Sequence, residues 1–501
     1  MPSKPSLSTL EVLGLLILIL FHGIASYHSF GFHHPDEHFQ ILEFANYWIG
    51  QSTDLSMIPW EYAAKIRPWF QPMIHGLVMK FALWIHLYEP FTMTYFFRVI
   101  YSALNIYGVY LLWCEFKKRY ALNPLWFVMI SMIWFFPYIH VRTSSENLCG
   151  IFLNFAFVAY LRNKNFFWVG LLFGFSFLAR YQVALGIFGF GLFLLYQDRK
   201  ITRGHLALLG GFLIPVILGV LLDRVGYGAW VFTPYLYFKV NLVDGVAATF
   251  NPYPWYQYFI WITELNPLIS WPLLIGTIYY MRRVRGDALS AFIFSFFILH
   301  LFITNKEYRF LFPILNLVPF LAAVGFQKFE NSLFTQKKLL LYGVINGLSF
   351  SVSSLHGASI ETLWGLQMAS RYSKPGETWL SNRNYLEPFS KGYYLLKDHH
   401  VSLVHDGKEL VVELDKRKLE QLDTKVLADG HLQDSDIQGI LSVLAQNHCN
   451  LISSARPSFL YTLREKFPGT IFSAMDRLSF KALYQCDFRI SKAPQTHPSH
   501  S

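Results

Sequence analysis

Apolar runs of nearly membrane-crossing length, separated by short basic clusters, recur from residue 9 to residue 356 and leave this chain few ways to fold. They lie at 9–29, 92–113, 124–140, 148–161, 166–179, 181–196, 206–222, 258–281, 288–304, 309–326 and 339–356. Several sit near the lower length limit for a span, and together they predict about eleven crossings. Composition agrees. The 501 residues are 53% hydrophobic and 18% aromatic but only 15% charged, more apolar surface than one or two soluble cores bury. The formal net charge of +10 does not point to nucleic acid, because Lys and Arg sit mainly between the apolar runs, where they act as topology signals. The expected fold is an all-α polytopic membrane protein over 1–356, a small soluble α/β domain over 357–490, and a disordered tail over 491–501. The first run lacks a small-residue cleavage site and is expected to remain as an anchor.

One more apolar run, 72–88, decides the topology. If it does not cross, Lys117–Arg119, Arg162/Lys164, Arg199/Lys200/Arg203, Arg282/Arg283/Arg285 and Lys328/Lys337/Lys338 all share a side with Lys4. The positive-inside rule then holds in every basic loop. Its interior His75 and Lys80 also suit an interfacial or re-entrant helix. The N-terminus is therefore expected in the cytoplasm, and the C-terminal domain on the opposite, lumenal or periplasmic, side.

That topology gathers the unusual polar segments on the outside face: HHPDEHFQ at 33–40, RTSSEN at 142–147, Arg180–Gln182, the loop 223–255, and NKEYR at 305–309. In the first of these, Pro35 suits the opening of a helix, Asp36 and Glu37 its first turn, and Gly50 its end, which predicts an amphipathic helix lying on the membrane. The two carboxylates can serve only to compensate the helix dipole. Alternatively, one held opposite outside cations can deprotonate a hydroxyl as a general base. His33, His34 and His38 match no standard metal-ligand spacing, so no metal is expected, and His34 is assigned to acid–base or phosphate contacts.

The blocks HPDEHFQ, RTSSEN, DRVGYGAWVFTPYLYFKVN (223–241), NPYPWYQYF (251–259) and NKEYRFLFPI (305–314) resemble, in order along the chain, the polyprenyl- or dolichyl-phosphate-mannose-dependent mannosyltransferases of glycosyltransferase family 22, which assemble GPI anchors and N-glycans. Asn305 stands where the family block carries a histidine. The resemblance implies a GT-C-type fold with its active site at the lumenal or periplasmic face. It also implies transfer of mannose, with inversion, from the lipid phosphate to a glycan or glycolipid acceptor, without a further cofactor. The acidic motif that it makes catalytic maps to Asp36 and Glu37.

Such a reaction needs a base, stabilisation of an oxocarbenium-like sugar, and cations for the departing phosphate. Arg142, Arg180, Lys239, Lys306 and Arg309 are the candidate cations, Glu146 and Glu307 accompany them, and Trp255 and Tyr256 offer faces for stacking. Two other classes compete: a lipid-linked glycan transporter or flippase, and a non-catalytic subunit of a glycan-assembly complex. The first is disfavoured by the absence of an internal repeat and the second by the acidic motif. The oligomeric state is left unassigned. Both the ER and the bacterial inner membrane remain open, and the lack of sequons in the outside segments and of a retention ending leans towards the latter.

The tail predicts a hairpin turn at Asp406–Gly407 and a helix near Ile437–Gln446 followed by an apolar LISSA strand. The four cysteines lack CxxC spacing, and Cys449 and Cys486 are left open between a disulfide and two free thiols.

Overall fold

Every apolar run read from the sequence is helical in the computed structural model, which describes residues 7–29, 31–51, 58–284, 286–355, 367, 372, 378–382, 400–420, 422, 424–430, 435–455 and 480–488. Fewer helices reach spanning length than the runs suggest. Among the described residues, Thr9–His28, Pro90–Tyr120 and Arg203–Tyr227 are long and apolar enough to cross a membrane, and a pair bent by 64°, Tyr308–Leu315 with Val318–Leu333, has the length and composition of either a broken span or a re-entrant loop. Others are shorter because the runs are broken: 124–140 divides into Leu125–Ser131 and Phe135–His140, and 258–281 divides at Asn266–Pro267 into Gln257–Leu265 and Pro267–Arg283. Proline lacks an N–H and restricts the residue before it, so a helix restarts there more readily than it continues. The run at 72–88 becomes the helix Phe70–Trp84, whose 15 residues span roughly 22 Å at 1.5 Å per residue, short of the ~30 Å hydrocarbon layer.

Small residues let the helices approach. A Cβ built on Gly170 would lie 2.0 Å from the Leu208 carbonyl oxygen, and one built on Gly211 would lie 2.0 Å from that of Phe167. The helices Phe166–Ala179 and Arg203–Tyr227 thus meet backbone to backbone. Lipid tails are as apolar as leucine, so close packing rather than water exclusion holds such pairs together. Aromatic side chains fill the wider gaps, with Trp113, Phe116, Phe127, Phe136 and Phe157 fully buried.

Residues 356–501, together with 51–53, make a second unit. Its sheet has the strands β1 (Thr378–Ser381), β2 (His400–Leu403), β3 (Thr424–Gly430), β4 (Asn450–Ala455) and β5 (Phe480–Cys486) in the order β2-β1-β3-β5-β4. The β1 strand runs parallel to β2 and β3, whereas β5 pairs antiparallel with β3 and β4. The helix expected near Ile437–Gln446 spans Ser435–Gln446, and LISSA lies in β4. Asp406–Gly407 is not a hairpin turn. The Asp406 carboxylate accepts the amides of Lys408 and Glu409 and caps the helix Gly407–Leu419, a role that Asp fills as readily as it fills turns. Leu410, Leu414, Val426 and Ile440 form the core, and Cys449 is disulfide-bonded to Cys486. The tail 491–501 lies outside the described residues.

Candidate active site

Helix ends deliver the site. The Thr9–His28 helix hands the chain to a turn in which the Glu37 carboxylate accepts the His33 amide at 2.8 Å and the His38 amide donates to the Pro35 carbonyl. A wide π-type turn, His38–Glu43, continues into Phe44–Trp48, and Gly50 closes the segment at φ +77°. The segment is helical over 36–48, opening after Pro35 and closing at Gly50 as expected, but it is buried rather than amphipathic. His38, Gln40, Ile41, Leu42, Glu43, Phe44, Ala45 and Asn46 are all buried, because the packed protein, rather than lipid and water, surrounds the segment. Its polar groups therefore pair internally, His38 with Glu43 at 2.6 Å and Gln40 with Glu61 at 3.0 Å.

Further breaks bring the other charges to this turn. Ser144 caps Ser145–Leu161 and places Glu146 in its first turn; Arg180 stands where Phe166–Ala179 ends in an extended residue; Arg309 lies in the short turn Tyr308–Leu311. Arg309 reaches Asp36 at 2.7 Å, Glu307 at 2.5 Å and Glu146 at 3.4 Å, and Arg180 reaches Glu146 at 3.1 Å. His34 bridges Asp36 and Glu307, 3.4 Å from each. The cluster has depth: Arg309, Glu146 and Arg180 form a buried floor, whereas the side chains of Asp36 and His34 are 25% and 33% exposed and form the rim.

The two neighbouring carboxylates meet opposite fields. Burial would raise Asp36, but Arg309, the bond from His34 and the charge of Arg67 outweigh it and hold the carboxyl well below the usual carboxylate range. Glu37 is pushed up to about 7 by burial, which Arg142 and the His33 amide only partly offset. His33 is pushed down to about 3 by burial and by Arg142 and Arg309, so its ring is neutral and bonds the Tyr138 hydroxyl at 2.5 Å. The rim carboxyl is therefore held ionised, whereas the buried Glu37 next to it in the chain keeps its proton up to about pH 7.

Of the sequence candidates, His34, Asp36, Glu146, Arg180, Glu307 and Arg309 share this one network, with Glu37 and Arg142 beside it. Arg142 donates to the Gly31 carbonyl and lies over the Tyr138 ring at 4.9 Å. The remaining candidates stand apart. Lys239 is exposed and paired with Asp244 at 2.8 Å, because the turn Lys239–Val243 faces outward. Trp255 and Tyr256 are exposed and contact each other and, through Trp255, Phe259. Lys306 is buried, and its ammonium donates to the carbonyls of Tyr253 and Ile303, stitching the 251–254 loop to 304–306. The spacing of the 223–241 block has a structural reason: Thr233 bonds Asp223, which also accepts the Trp69 amide at 2.9 Å.

Sequence reasoning missed Arg67, which pairs with Glu61 at 3.3 Å and acts on Asp36. The available signal was its place directly before Pro68, at the entry to a run already read as non-spanning. Also missed was an apolar cavity of about 470 Å³ whose lining includes Trp134, Trp261, Tyr138, Tyr308 and Phe312. The last three pack around His33, so the cavity abuts the acidic turn.

Comparison with known proteins gives the chain a context. The model of the Alg9-like mannosyltransferase family matches residues 14–378. GPI mannosyltransferase 3 of Drosophila melanogaster is 23% identical over 56% of this chain and 50% of its own length. Mannosyltransferase APTG1 of Arabidopsis thaliana is 24% identical over 60% and 55%, and GPI alpha-1,2-mannosyltransferase 3 of Homo sapiens 21% identical over 56% and 51%. The chain thus spans about half the length of the curated relatives it matches. Among solved structures, ArnT from Cupriavidus metallidurans in the apo state superposes with a TM-score of 0.49 at 12% identity, over 95% of this chain and 98% of that one.

Proposed function

The chain belongs to the Alg9-like mannosyltransferase family, and from that premise we propose that it moves a mannose from a polyprenyl- or dolichyl-phosphate donor to a glycolipid acceptor at the outer face of its membrane. The observation that carries the reading is the rim carboxylate. Asp36 is held ionised by Arg309, is open to solvent, and stands beside an apolar cavity suited to an isoprenoid chain. The acceptor hydroxyl attacks the anomeric carbon and passes its proton to Asp36 as the new bond forms. The bond from that carbon to the phosphate oxygen breaks, and the lipid phosphate leaves with the electron pair, which inverts the anomeric centre. An anion with so low a proton affinity suits a base that acts only as the hydroxyl becomes acidic in the transition state. Arg142 is the cation assigned to the leaving phosphate, since Arg67, Arg180 and Arg309 already face carboxylates. The relatives named as GPI mannosyltransferases support the glycolipid acceptor, and the basic loops support the lumenal or periplasmic side.

The test uses the purified chain in liposomes with a polyprenyl-phosphate-mannose and a GPI-type acceptor. Asp36→Asn is expected to lower transfer by about 10²- to 10⁴-fold, the usual contribution of a general base. Unchanged transfer by a folded Asp36→Asn removes the assignment. Donor lipid that crosses the bilayer with its mannose still attached would favour a flippase.

A further inference from the structure

Midway along the Thr9–His28 helix, His22 Nε2 faces His140 Nδ1 at 2.8 Å. A chain of buried side chains leads from this pair to the turn that carries Arg142 and Glu146. His140 Nε2 meets Asn316 Oδ1 at 2.6 Å, Asn316 Nδ2 meets Asn105 Oδ1 at 3.2 Å, and Asn105 Nδ2 meets Asn147 Oδ1 at 2.9 Å. Asn147 Nδ2 then donates to the carbonyls of His140 and Arg142 at 3.0 and 2.6 Å.

Backbone carbonyls dictate where the hydrogens lie, because a carbonyl oxygen only accepts. The two carbonyls facing Asn147 require its amide nitrogen there and turn its oxygen to Asn105. The Tyr101 carbonyl, 2.9 Å from Asn105 Nδ2, fixes that amide in turn and leaves its oxygen for Asn316. Asn316 must then offer nitrogen to Asn105 and oxygen to His140, so His140 Nε2 bears a hydrogen. At the other end, the Leu18 carbonyl, 2.7 Å from His22 Nδ1, requires a hydrogen there. A neutral imidazole carries one N–H. Two neutral rings would therefore aim lone pairs at each other across 2.8 Å.

We propose that His22 and His140 together hold one proton more than two neutral rings, shared between Nε2 and Nδ1, and that this proton-bridged pair positions the Arg142–Glu146 turn through Asn316, Asn105 and Asn147. The flanking bonds of 2.6 and 2.7 Å are as short as charge-assisted ones. His140 also closes the helix Phe135–His140, where the dipole favours a cation. Among the described residues, no carboxylate faces either ring. The cations on the packed elements are turned away, Arg98 to the Ser26 carbonyl and Arg142 to the Gly31 carbonyl. The extra charge is met by the oxygens of Leu18 and Asn316. Ionisable groups at membrane depth are seldom idle. The positioning role rests on the proposed transferase reading; the proton count does not.

The experiment is nitrogen NMR on the full-length protein, labelled with ¹⁵N-histidine, in nanodiscs at neutral pH. Coupling across the shared hydrogen identifies the two rings without a variant. Three N–H groups over their four nitrogens are expected, whereas two, or no coupling between two histidines, overturns the proposal. Asn316→Ala removes the acceptor that forces a hydrogen onto His140 Nε2, so the count is expected to fall to two, and a count that stays at three overturns the argument. The same variant is expected to lower the turnover number roughly 10- to 100-fold with little change in KM, the effect of misplaced reacting groups, and an unchanged turnover number removes the positioning role.

Discussion

Asp36 and Glu37 are adjacent in the chain and opposite in environment, and the contrast has a measurable consequence for stability. Glu37 holds its proton to about 7 when folded but to its ordinary value of 4.5 when unfolded, so between those values the folded state binds the extra proton. Its contribution is complete below about pH 4.5 and is lost as pH rises through 7, on the order of 3 kcal/mol in total. His33 works the other way. Its neutral ring takes up a proton on unfolding, so its contribution is complete above 6.5 and is lost as pH falls towards about 3. Thermal unfolding of Glu37→Gln in detergent should therefore lose the decline between pH 5 and 7 and keep the acid-side decline. A variant whose pH profile matches the parent would show that Glu37 is ionised throughout.

At the scale of elements, the closest approaches are between helices, and small residues make them possible. Gly211 lets Arg203–Tyr227 lie against the Phe167 carbonyl, and Gly170 does the same against Leu208. Gly211→Leu has no room to be absorbed by a side-chain shift, since the obstacle is backbone. It is expected to cost at least 1–3 kcal/mol, the usual price of overpacking. Gly210→Leu, one residue away and meeting nothing within 4 Å, should leave the unfolding temperature unchanged. Equal effects of the two would mean that these helices are not in contact. This contact was partly legible. Gly170 and Gly174, four apart in the apolar run 166–179, suggest a close helix pair, but nothing in one sequence names the partner.

For the whole molecule, the site and the fold share charges. Arg309 satisfies Asp36, Glu307 and Glu146 from separate regions of the chain, so its removal would leave Glu146 buried with only Arg180. Arg309→Ala should destabilise the protein by about 3–5 kcal/mol, the range for a broken buried pair, and Glu146→Gln in the same chain should recover part of that loss. If the double variant is no more stable than the single one, the 3.4 Å contact carries no coupling. Cooperation of this kind could not be read residue by residue. Arg142, Arg180 and Arg309 were legible as cations on one face, but their division into arginines facing carboxylates and one facing a carbonyl and a ring needed coordinates. Lys306 makes the same point, because an ammonium that looks available in NKEYR is turned inward to two carbonyls.

What the sequence determined by itself was everything set by chain-local chemistry. Apolar runs became helices because backbone groups away from water must bond within the segment. Polar breaks stayed at helix ends, the acidic pair stayed in its turn, and the family blocks kept their order. Asp406 marks the edge of that domain, since Asp caps a helix as well as it turns a chain, and only the structure chose. The tertiary structure alone decided which distant groups meet: Arg180 with Glu146, Arg309 with Asp36 and Glu146, His22 with His140. Pairing energies depend on distance and burial, and those are properties of the packed molecule.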